Sequence, residues 1–228
     1  MQPRLSFHHL FPMLKNKETP IRSLANVAIK YYIKYLLGEG TIYELSAPTD
    51  YHQKNFVPPE QKYQITDYNP LSPMPADMTA MPFADSSVDA FFSAFVLEHV
   101  KDYQKAISEM KRSLKPGGRL MLVVPFIFYY HGAPSDYVRF TDSYLRELFA
   151  DMKICVTVPL GTRGLCIAEF FDERFYTPTN SSRLAKFLFK ILSMLLVAGY
   201  IIRPKQMSGF ASAYLILAEK SEGSICSE

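Results

Sequence analysis

The apolar positions in the first third of the chain follow first helical and then strand spacing. A pattern of apolar residues three and four apart covers residues 20–37 and stops at Gly38-Glu39-Gly40. Short β-rich runs follow at residues 41–45 and 63–66, and the prolines between 70 and 75 make the next connection extended. This region therefore predicts a lead-in helix and two short strands.

The middle of the chain alternates strand, helix and strand. Residues 88–94 predict a buried strand, residues 102–115 an amphipathic helix with Asp102 as N-cap, and residues 119–125 another buried strand. Pro116-Gly117-Gly118 predicts the end of the helix. A strand, a helix and a strand at this spacing imply a right-handed parallel crossover.

The last third is expected to complete one α/β domain. After a loop, Thr141 can cap a short helix, and the remaining pattern predicts a strand at 153–158, a mostly helical excursion at 161–205 and a last strand at 211–219. We expect a Rossmann-like, mostly parallel sheet flanked by helices, with an antiparallel edge made from the last two strands. The predicted organisation is a single domain over 1–220, with a helical lead-in at 1–40, a helical insertion at 161–205 and a frayed tail at 221–228.

The segment from Leu184 to Ile202 is the most apolar in the chain. Lys186 and Lys190 interrupt it, and the uninterrupted part from Ile191 to Ile202 is too short to span a bilayer. The pattern favours a helix buried against the sheet of the domain. Peripheral membrane contact through 184–202 remains open, since basic residues flank the apolar ones.

Composition narrows the function classes. With 25 Lys+Arg against 22 Asp+Glu, the formal charge of +3 gives no reason to expect a nucleic-acid partner. The three cysteines lack the CxxC spacing of a zinc site and are odd in number, so neither a metal site nor a disulfide framework is expected. The N-terminal residues lack a continuous apolar run of the secretory type, which leaves a cytoplasmic location as the default expectation.

The order and spacing of three segments indicate a family: ITDYNP at 65–70, ADMTAMPFADSSVDAFFSAFVLEHV at 76–100 and LKPGGRLMLVVPF at 114–126. Together they resemble a class I S-adenosylmethionine (SAM) dependent methyltransferase of the type 11 kind. HGAPSDYVRFT at 131–141 resembles a loop found in bacterial members of that family. The resemblance implies SAM as cofactor and methyl transfer to a small-molecule, sugar or lipid-linked acceptor.

The resemblance also implies where the cofactor binds, at the carboxyl edge of the sheet. Asp67 would accept both ribose hydroxyls, Asp77 would accept from the adenine amino group, and Met78 would pack on the ring or simply belong to the core. Phe95 opens the segment that crosses beneath the methionine end of the cofactor. Glu98 and His99 in that segment are expected mainly to fix a strand-to-helix junction, although an acid–base role for His99 stays open.

The first motif of the family, an acidic residue followed by a glycine-rich turn, is altered in this chain. The matching stretch is Glu44-Leu45-Ser46-Ala47-Pro48, in which Glu44 is kept and both glycines are replaced. Ser46 is small and its hydroxyl can donate to the methionine moiety, so Glu44 and Ser46 remain candidate cofactor contacts. Because non-glycine residues avoid positive φ, we expect the loop to take a different path. The chain is then either a divergent active enzyme or a catalytically inactive binding or scaffolding protein.

The acceptor side is expected in the loop after the 119–125 strand. His131 is a candidate general base because imidazole titrates near neutrality, and a hydrogen bond to backbone is the alternative. The other candidate acceptor contacts are Tyr130, Asp136, Tyr137 and Arg139, with an Arg139–Asp136 pair as the alternative role for two of them. The displacement at the sulfonium requires no metal. The excursion at 161–205, with DERFYTPTNSSR before its apolar helix, is the expected acceptor-side cover.

Overall fold

The structure is a computed structural model that describes residues 4–15, 18–47, 49–132, 135–171, 183–203 and 208–221. The chain forms two compact units. One comprises Met1–Tyr31, Pro125–Tyr130 and Pro159–Tyr214, and the other comprises Tyr32–Val124, His131–Val158 and Leu215–Glu228. The single domain expected over 1–220 stays a prediction. The tail at 222–228 lies outside the described residues, as do residues 172–182 and 204–205 of the predicted acceptor-side cover.

Six strands form one mixed sheet in the order β2-β1-β3-β4-β6-β5. Their bounds are β1 Ile42–Glu44, β2 Tyr63–Ile65, β3 Val88–Ala94, β4 Leu114–Pro125, β5 Lys153–Leu160 and β6 Ala213–Glu219. The pairs β1–β2, β1–β3 and β3–β4 are parallel. This order and the flanking helices confirm the predicted Rossmann-like α/β fold.

The antiparallel edge is also as predicted. Between β4 and β6, Gly117 N donates to Lys220 O at 2.8 Å and Lys220 N donates to Gly118 O at 2.9 Å, while at the other end Phe126 N donates to Ser212 O at 2.8 Å. Gly117 thus pairs with Lys220, and Phe126, further along the chain, pairs with the earlier residue Ser212. The two strands therefore run in opposite directions. On the other side of β6, Ser212 N donates to Leu160 O at 2.8 Å and Lys153 pairs with Glu219 at 3.3 Å, so β6 is antiparallel to both neighbours.

Seven α-helices occur in the described residues: α1 Leu10–Leu14, α2 Pro20–Tyr32, α3 Tyr51–Phe56, α4 Tyr103–Ser113, α5 Asp142–Leu148, α6 Arg163–Phe170 and α7 Arg183–Ile202. Two predicted N-caps are present. The Asp102 carboxylate accepts from Lys105 N at 3.2 Å, and the Thr141 hydroxyl accepts from Tyr144 N at 3.2 Å. Each cap satisfies a backbone N–H that has no partner within its helix.

The boundary between α4 and β4 and the presence of helix α3 differ from the sequence prediction. Helix α4 ends at Ser113 and β4 begins at Leu114, so the Pro-Gly-Gly turn lies within the extended segment. Gly117 there has a φ of 75°, and its N–H joins the ladder to β6, which explains why this turn continues the sheet. Helix α3 was not predicted, because its six residues lack a clear apolar stripe and follow a Ser-Ala-Pro-Thr segment that is typical of loops.

Helix α7 is the segment for which burial was expected. One face packs against α6, where the Ser193 hydroxyl donates to Ala168 O at 3.0 Å and Val197 is fully buried. The opposite face is exposed and carries Leu184, Phe187, Leu188, Ile191, Leu192, Leu195 and Ile202. The expected burial of this segment against the sheet was therefore wrong, because α7 packs one face on α6 and leaves its other apolar face exposed. Among the described residues no helix combines the length and the apolar content needed to cross a bilayer.

Candidate active site

A cavity of about 620 Å³ lies at the carboxyl ends of β1, β2 and β3. Its lining residues are Ser46, Asp67, Tyr68, Asp77, Met78, Thr79, Phe95, Val96, His99, Val100, Lys101, Asp102 and Tyr137. The strand order reverses between β1 and β3, and in open parallel sheets ligands bind at such a reversal. Five of the six cofactor residues expected from the resemblance line this one cavity: Ser46, Asp67, Asp77, Met78 and Phe95.

Asp67 and Asp77 present carboxylate oxygens to the cavity. Asp67 follows β2, and its backbone N and O are held by Met74 and Ala76 across an extended segment. Among the described residues, one weak hydrogen bond engages its side chain, from Asn69 N to Oδ1 at 3.3 Å. Asp77 uses Oδ1 to accept from the N and hydroxyl of Thr79, both at 2.8 Å, and this fixes its turn. Each carboxylate therefore keeps its Oδ2 without a hydrogen bond from any described residue.

Two residues at the cavity have positive φ although neither is glycine. Ser46, just after β1, has a φ of 54°, and Phe95, just after β3, has a φ of 58°. This conformation costs a residue with a Cβ about 1–2 kcal/mol. The expectation that the loop would avoid it at Ser46 was wrong, because Ser46 keeps the left-handed turn, with its N donating to the Thr66 hydroxyl at 3.4 Å. Pro48, at the end of the altered motif, lies outside the described residues.

Glu44 does not line the cavity and instead forms a buried polar cluster behind it. Its side chain is 2% exposed, with Oε1 at 2.5 Å from His52 Nδ1 and Oε2 accepting from the Tyr63 hydroxyl at 2.7 Å. Burial, together with the Glu44 charge, raises the pKa of Tyr63 well above its ordinary value. A direct bond from Glu44 to a cofactor stays a prediction. Its contacts make it a residue that links β1 to β2 and α3.

The loop at 131–139 is held by a buried ion pair. Arg139 forms a bidentate pair with Asp136, whose side chain is 1% exposed and also accepts from His131 N at 2.9 Å. The hydrogen bonds from Arg139 lower the pKa of Asp136 to about 2. This is the loop-holding role left open for Arg139 and Asp136. Their direct contact with an acceptor stays a prediction.

Glu98 and His99 form a short 3₁₀ turn that fastens this loop beside the cavity. Tyr137 N donates to Glu98 O at 2.8 Å, and His99 Nδ1 lies 2.5 Å from Ser135 O. His131 reaches the same place, with Nε2 at 3.6 Å from Glu98 Oε1. The role in the strand-to-helix junction expected for Glu98 and His99 stays a prediction, and no motif in the sequence indicated that His131 would lie beside them.

The remaining predicted acceptor residues separate in the structure. Tyr137 is half exposed and lines the cavity, whereas Tyr130 is 74% exposed and belongs to the other compact unit. Sequence reasoning missed Tyr68 and Lys101 as lining residues. Their positions in the sequence could have indicated that they line the cavity, since Tyr68 directly follows Asp67 and Lys101 directly follows the FVLEHV segment.

Residues 34–122 match the family described as "Methyltransferase domain". A demethylmenaquinone methyltransferase of Renibacterium salmoninarum is 50% identical over 46 residues, which are 20% of this chain and 19% of that protein. A ubiquinone/menaquinone biosynthesis C-methyltransferase of Ruegeria is 31% identical over 86 residues, 38% of this chain and 32% of that protein. The chain thus matches a third or less of the length of these two relatives.

Solved structures share the fold over most of the chain at low identity. A protein of Galdieria sulphuraria that is assigned as a sarcosine dimethylglycine methyltransferase superposes with a TM-score of 0.56 at 12% identity. The match covers 93% of this chain and 97% of that chain. Geranyl diphosphate C-methyltransferase of Streptomyces coelicolor, solved with Mg²⁺, geranyl diphosphate and S-adenosylhomocysteine, has a TM-score of 0.51 at 15% identity and covers 88% and 82%. Residues 34–122 thus match a methyltransferase domain, and the chain has the fold of the class I SAM-dependent methyltransferases.

Proposed function

We propose that this protein binds SAM in the cavity at β1, β2 and β3 and transfers its methyl group to a lipid-linked acceptor. The observation that carries the proposal is the convergence of Asp67, Asp77 and Met78 on one cavity. Two carboxylates with available oxygens suit the ribose hydroxyls and the adenine amino group, and a buried methionine suits a flat ring. In this proposal SAM is the methyl donor, as the matched methyltransferase domain implies.

The chemistry is a direct displacement. A lone pair of the acceptor forms the new bond to carbon while the S–CH₃ bond breaks, and the sulfonium becomes the neutral thioether of S-adenosylhomocysteine. The protein contributes alignment of the two reactants and exclusion of water. For a hydroxyl acceptor, the released proton must be taken up, and the proposed base is His131, oriented by the Asp136 carboxylate 3.2 Å from its Nδ1.

The exposed face of α7 favours a lipid-linked acceptor over a soluble sugar. Phe187, Leu188 and Leu195 are 60%, 55% and 64% exposed, and they lie at helical spacing on one face. The helix contains no acidic residue, and Arg203 directly after it is exposed and basic. An apolar face with basic residues is typical of helices that lie in the interface of an anionic membrane. The proposed partners are therefore an acceptor of low solubility and the membrane surface that holds it, without a nucleic acid.

We keep the cytoplasm as the proposed location, since the two cysteines in the described residues, Cys155 and Cys166, are free thiols. A cytoplasmic membrane surface would also supply the anionic lipids that the basic residues need.

A catalytically inactive binding protein is the second candidate, and Ser46 is the observation that favours it. The glycine it replaces would let the backbone approach the cofactor, whereas Ser46 adds a Cβ at the same φ. Such a protein would bind SAM weakly or not at all, so a SAM titration distinguishes the two candidates.

The test is calorimetric titration of SAM and S-adenosylhomocysteine into wild type and Asp67→Ala. Charge-assisted hydrogen bonds are worth about 1.5–3 kcal/mol each, so Asp67→Ala should weaken SAM binding at least about tenfold. Asp142→Ala, which removes an exposed acid outside the cavity, is the matched control and should bind as wild type does. Thermal melts of all three proteins check folding. Absence of SAM binding by wild type would favour the inactive candidate, and equal binding by Asp67→Ala would refute the placement of the cofactor.

A further inference from the structure

Three side chains with metal-binding atoms meet beside the cavity. His99 Nε2 lies 3.8 Å and His131 Nε2 lies 3.6 Å from Oε1 of Glu98. One ligand atom from each of the three residues lies within 4.8 Å of the others. The rings of His99 and His131 are edge to face, with their centroids 4.9 Å apart.

Glu98 is the unusual member of this group. Its side chain is fully buried, and neither carboxylate oxygen accepts a hydrogen bond from a described residue. A buried carboxylate without donors is strongly unfavourable, because it loses hydration and gains nothing in return. The position therefore calls for a cation close to Oε1 and Oε2.

Both histidines are oriented from behind by oxygen atoms. His99 Nδ1 lies 2.5 Å from the Ser135 carbonyl oxygen, and His131 Nδ1 lies 3.2 Å from Oδ2 of Asp136. An oxygen acceptor at Nδ1 favours the tautomer with its proton there, and the lone pair of a neutral ring is then on Nε2. Both Nε2 atoms thus point lone pairs toward a carboxylate. Histidines that bind metals are held in this way, by a carbonyl or carboxylate at the other ring nitrogen.

We propose that Glu98, His99 and His131 bind a divalent transition metal of the Zn²⁺ type. Two imidazoles and one carboxylate are a common ligand set for such ions, and three protein ligands leave a position open for a water or a substrate. Metal–ligand distances of about 2.0–2.2 Å put neighbouring ligand atoms about 3.4 Å apart in a tetrahedron. The two distances to Glu98 Oε1, 3.6 and 3.8 Å, need to shorten by a few tenths of an ångström, and the two histidine ligand atoms, which lie within 4.8 Å of each other, must also come to that spacing.

The open position would face the methyl acceptor. His99 lines the cavity, and His99 and His131 are 20% and 25% exposed at their side chains. A metal there would bind an oxygen of the acceptor and stabilise its anionic form. It would replace the general-base role of His131, because a metal-bound Nε2 has no lone pair left to accept a proton. This role rests on the proposed function, whereas metal binding itself does not.

The experiment is equilibrium dialysis of the full chain, stripped with EDTA, against Zn²⁺ and Co²⁺. Wild type should bind one equivalent. His131→Ala and the closer replacement His131→Gln should each weaken binding more than about a hundredfold, and Asp136→Asn, which removes the acceptor behind His131, should weaken it about 10–100-fold. The control His8→Ala/His9→Ala removes the adjacent histidine pair near the N-terminus and should bind as wild type does.

Spectroscopy of the wild type provides a measurement that needs no substitution. Zinc-edge X-ray absorption should show two imidazole ligands, and the Co²⁺ protein should lack the charge-transfer bands of thiolate ligands. Three results would overturn the metal site. They are a wild type that binds no stoichiometric metal, the appearance of thiolate charge-transfer bands, and His131 variants that both bind metal as tightly as wild type. In that case a proton shared among the three residues becomes the explanation for Glu98.

Calorimetry with SAM in the presence of EDTA separates this proposal from the proposed function. SAM binding without metal, together with a failed metal titration, overturns only the metal site. Metal binding without SAM binding supports the site and overturns the proposed function.

Discussion

Ser46→Gly tests whether the turn after β1 stores backbone strain at the cofactor edge. At a φ of 54°, the serine Cβ costs about 1–2 kcal/mol, and glycine removes that cost. Glycine also has more freedom in the unfolded chain, which offsets about 0.4–1 kcal/mol. The net expected stabilisation is about 0.5–1 kcal/mol, or about 1–4 °C in Tm for a chain of this size.

The chain provides a matched control in Ser86. It has a φ of 51°, it is exposed, and it does not line the cavity. Ser86→Gly should therefore stabilise the protein about as much as Ser46→Gly. Ser46→Ala, which removes the hydroxyl and keeps the Cβ, should leave Tm nearly unchanged.

SAM affinity should respond differently from stability in these variants. A hydrogen bond from the Ser46 hydroxyl to the charged methionine moiety is worth about 1.5–3 kcal/mol, so Ser46→Gly and Ser46→Ala should lose affinity by a similar factor of at least about ten. Ser86→Gly should bind SAM as wild type does. The measurements are thermal melts and calorimetric titration. A Ser46→Ala protein as stable as Ser46→Gly would refute the strain, and unchanged affinity in both would refute the hydroxyl contact.

Two further predictions concern the membrane face and the acid dependence of stability. Leu188→Glu should reduce sedimentation of the protein with vesicles containing phosphatidylglycerol, because it places a negative charge on the apolar face of α7. The control Leu71→Glu, at a residue that is 91% exposed, should not reduce sedimentation. Equal loss in both variants would contradict the membrane contact. The hydrogen bonds from Arg112 lower the pKa of Glu109 in the folded protein. The pair therefore stabilises the fold at a pH above the pKa of Glu109 in the unfolded chain, and this contribution is lost as the pH falls through the lower pKa of Glu109 in the folded protein. Arg112→Gln should therefore flatten the fall of Tm below about pH 4.5, compared with Arg146→Gln at an exposed pair, and an unchanged slope would argue against the assignment.

Local signals made the central part of the fold predictable. Strand β3 has the predicted bounds, and Asp102 and Thr141 cap the predicted helices, because buried apolar runs and side-chain caps depend on a few neighbouring residues. The exposed face of α7 could not be predicted in the same way. Its apolar residues surround the helix, and only the tertiary structure determines that α6 covers one side.

The candidate site was predictable for residues at strand ends and less so for residues brought in by loops. Ser46, Asp67 and Phe95 line the cavity because they follow β1, β2 and β3, and the carboxyl ends of parallel strands meet at one edge. His131 lies 32 residues after His99 in the sequence, and its approach to Glu98 depends on the Asp136–Arg139 pair that folds the loop back. No spacing rule relates such positions.

The backbone at this edge explains how a turn can survive the loss of its glycines. Ser46 after β1 and Phe95 after β3 both have positive φ, and the two strands are direct neighbours in the sheet. Hydrogen bonds hold each turn, since Leu45 N donates to Phe92 O and Phe95 N donates to Val123 O, both at 2.8 Å. The sheet thus imposes the turn geometry, and a serine or phenylalanine tolerates it at a cost that the surrounding ladder offsets. A missing glycine motif therefore predicts strain at this edge, and it does not by itself predict that the cavity is lost.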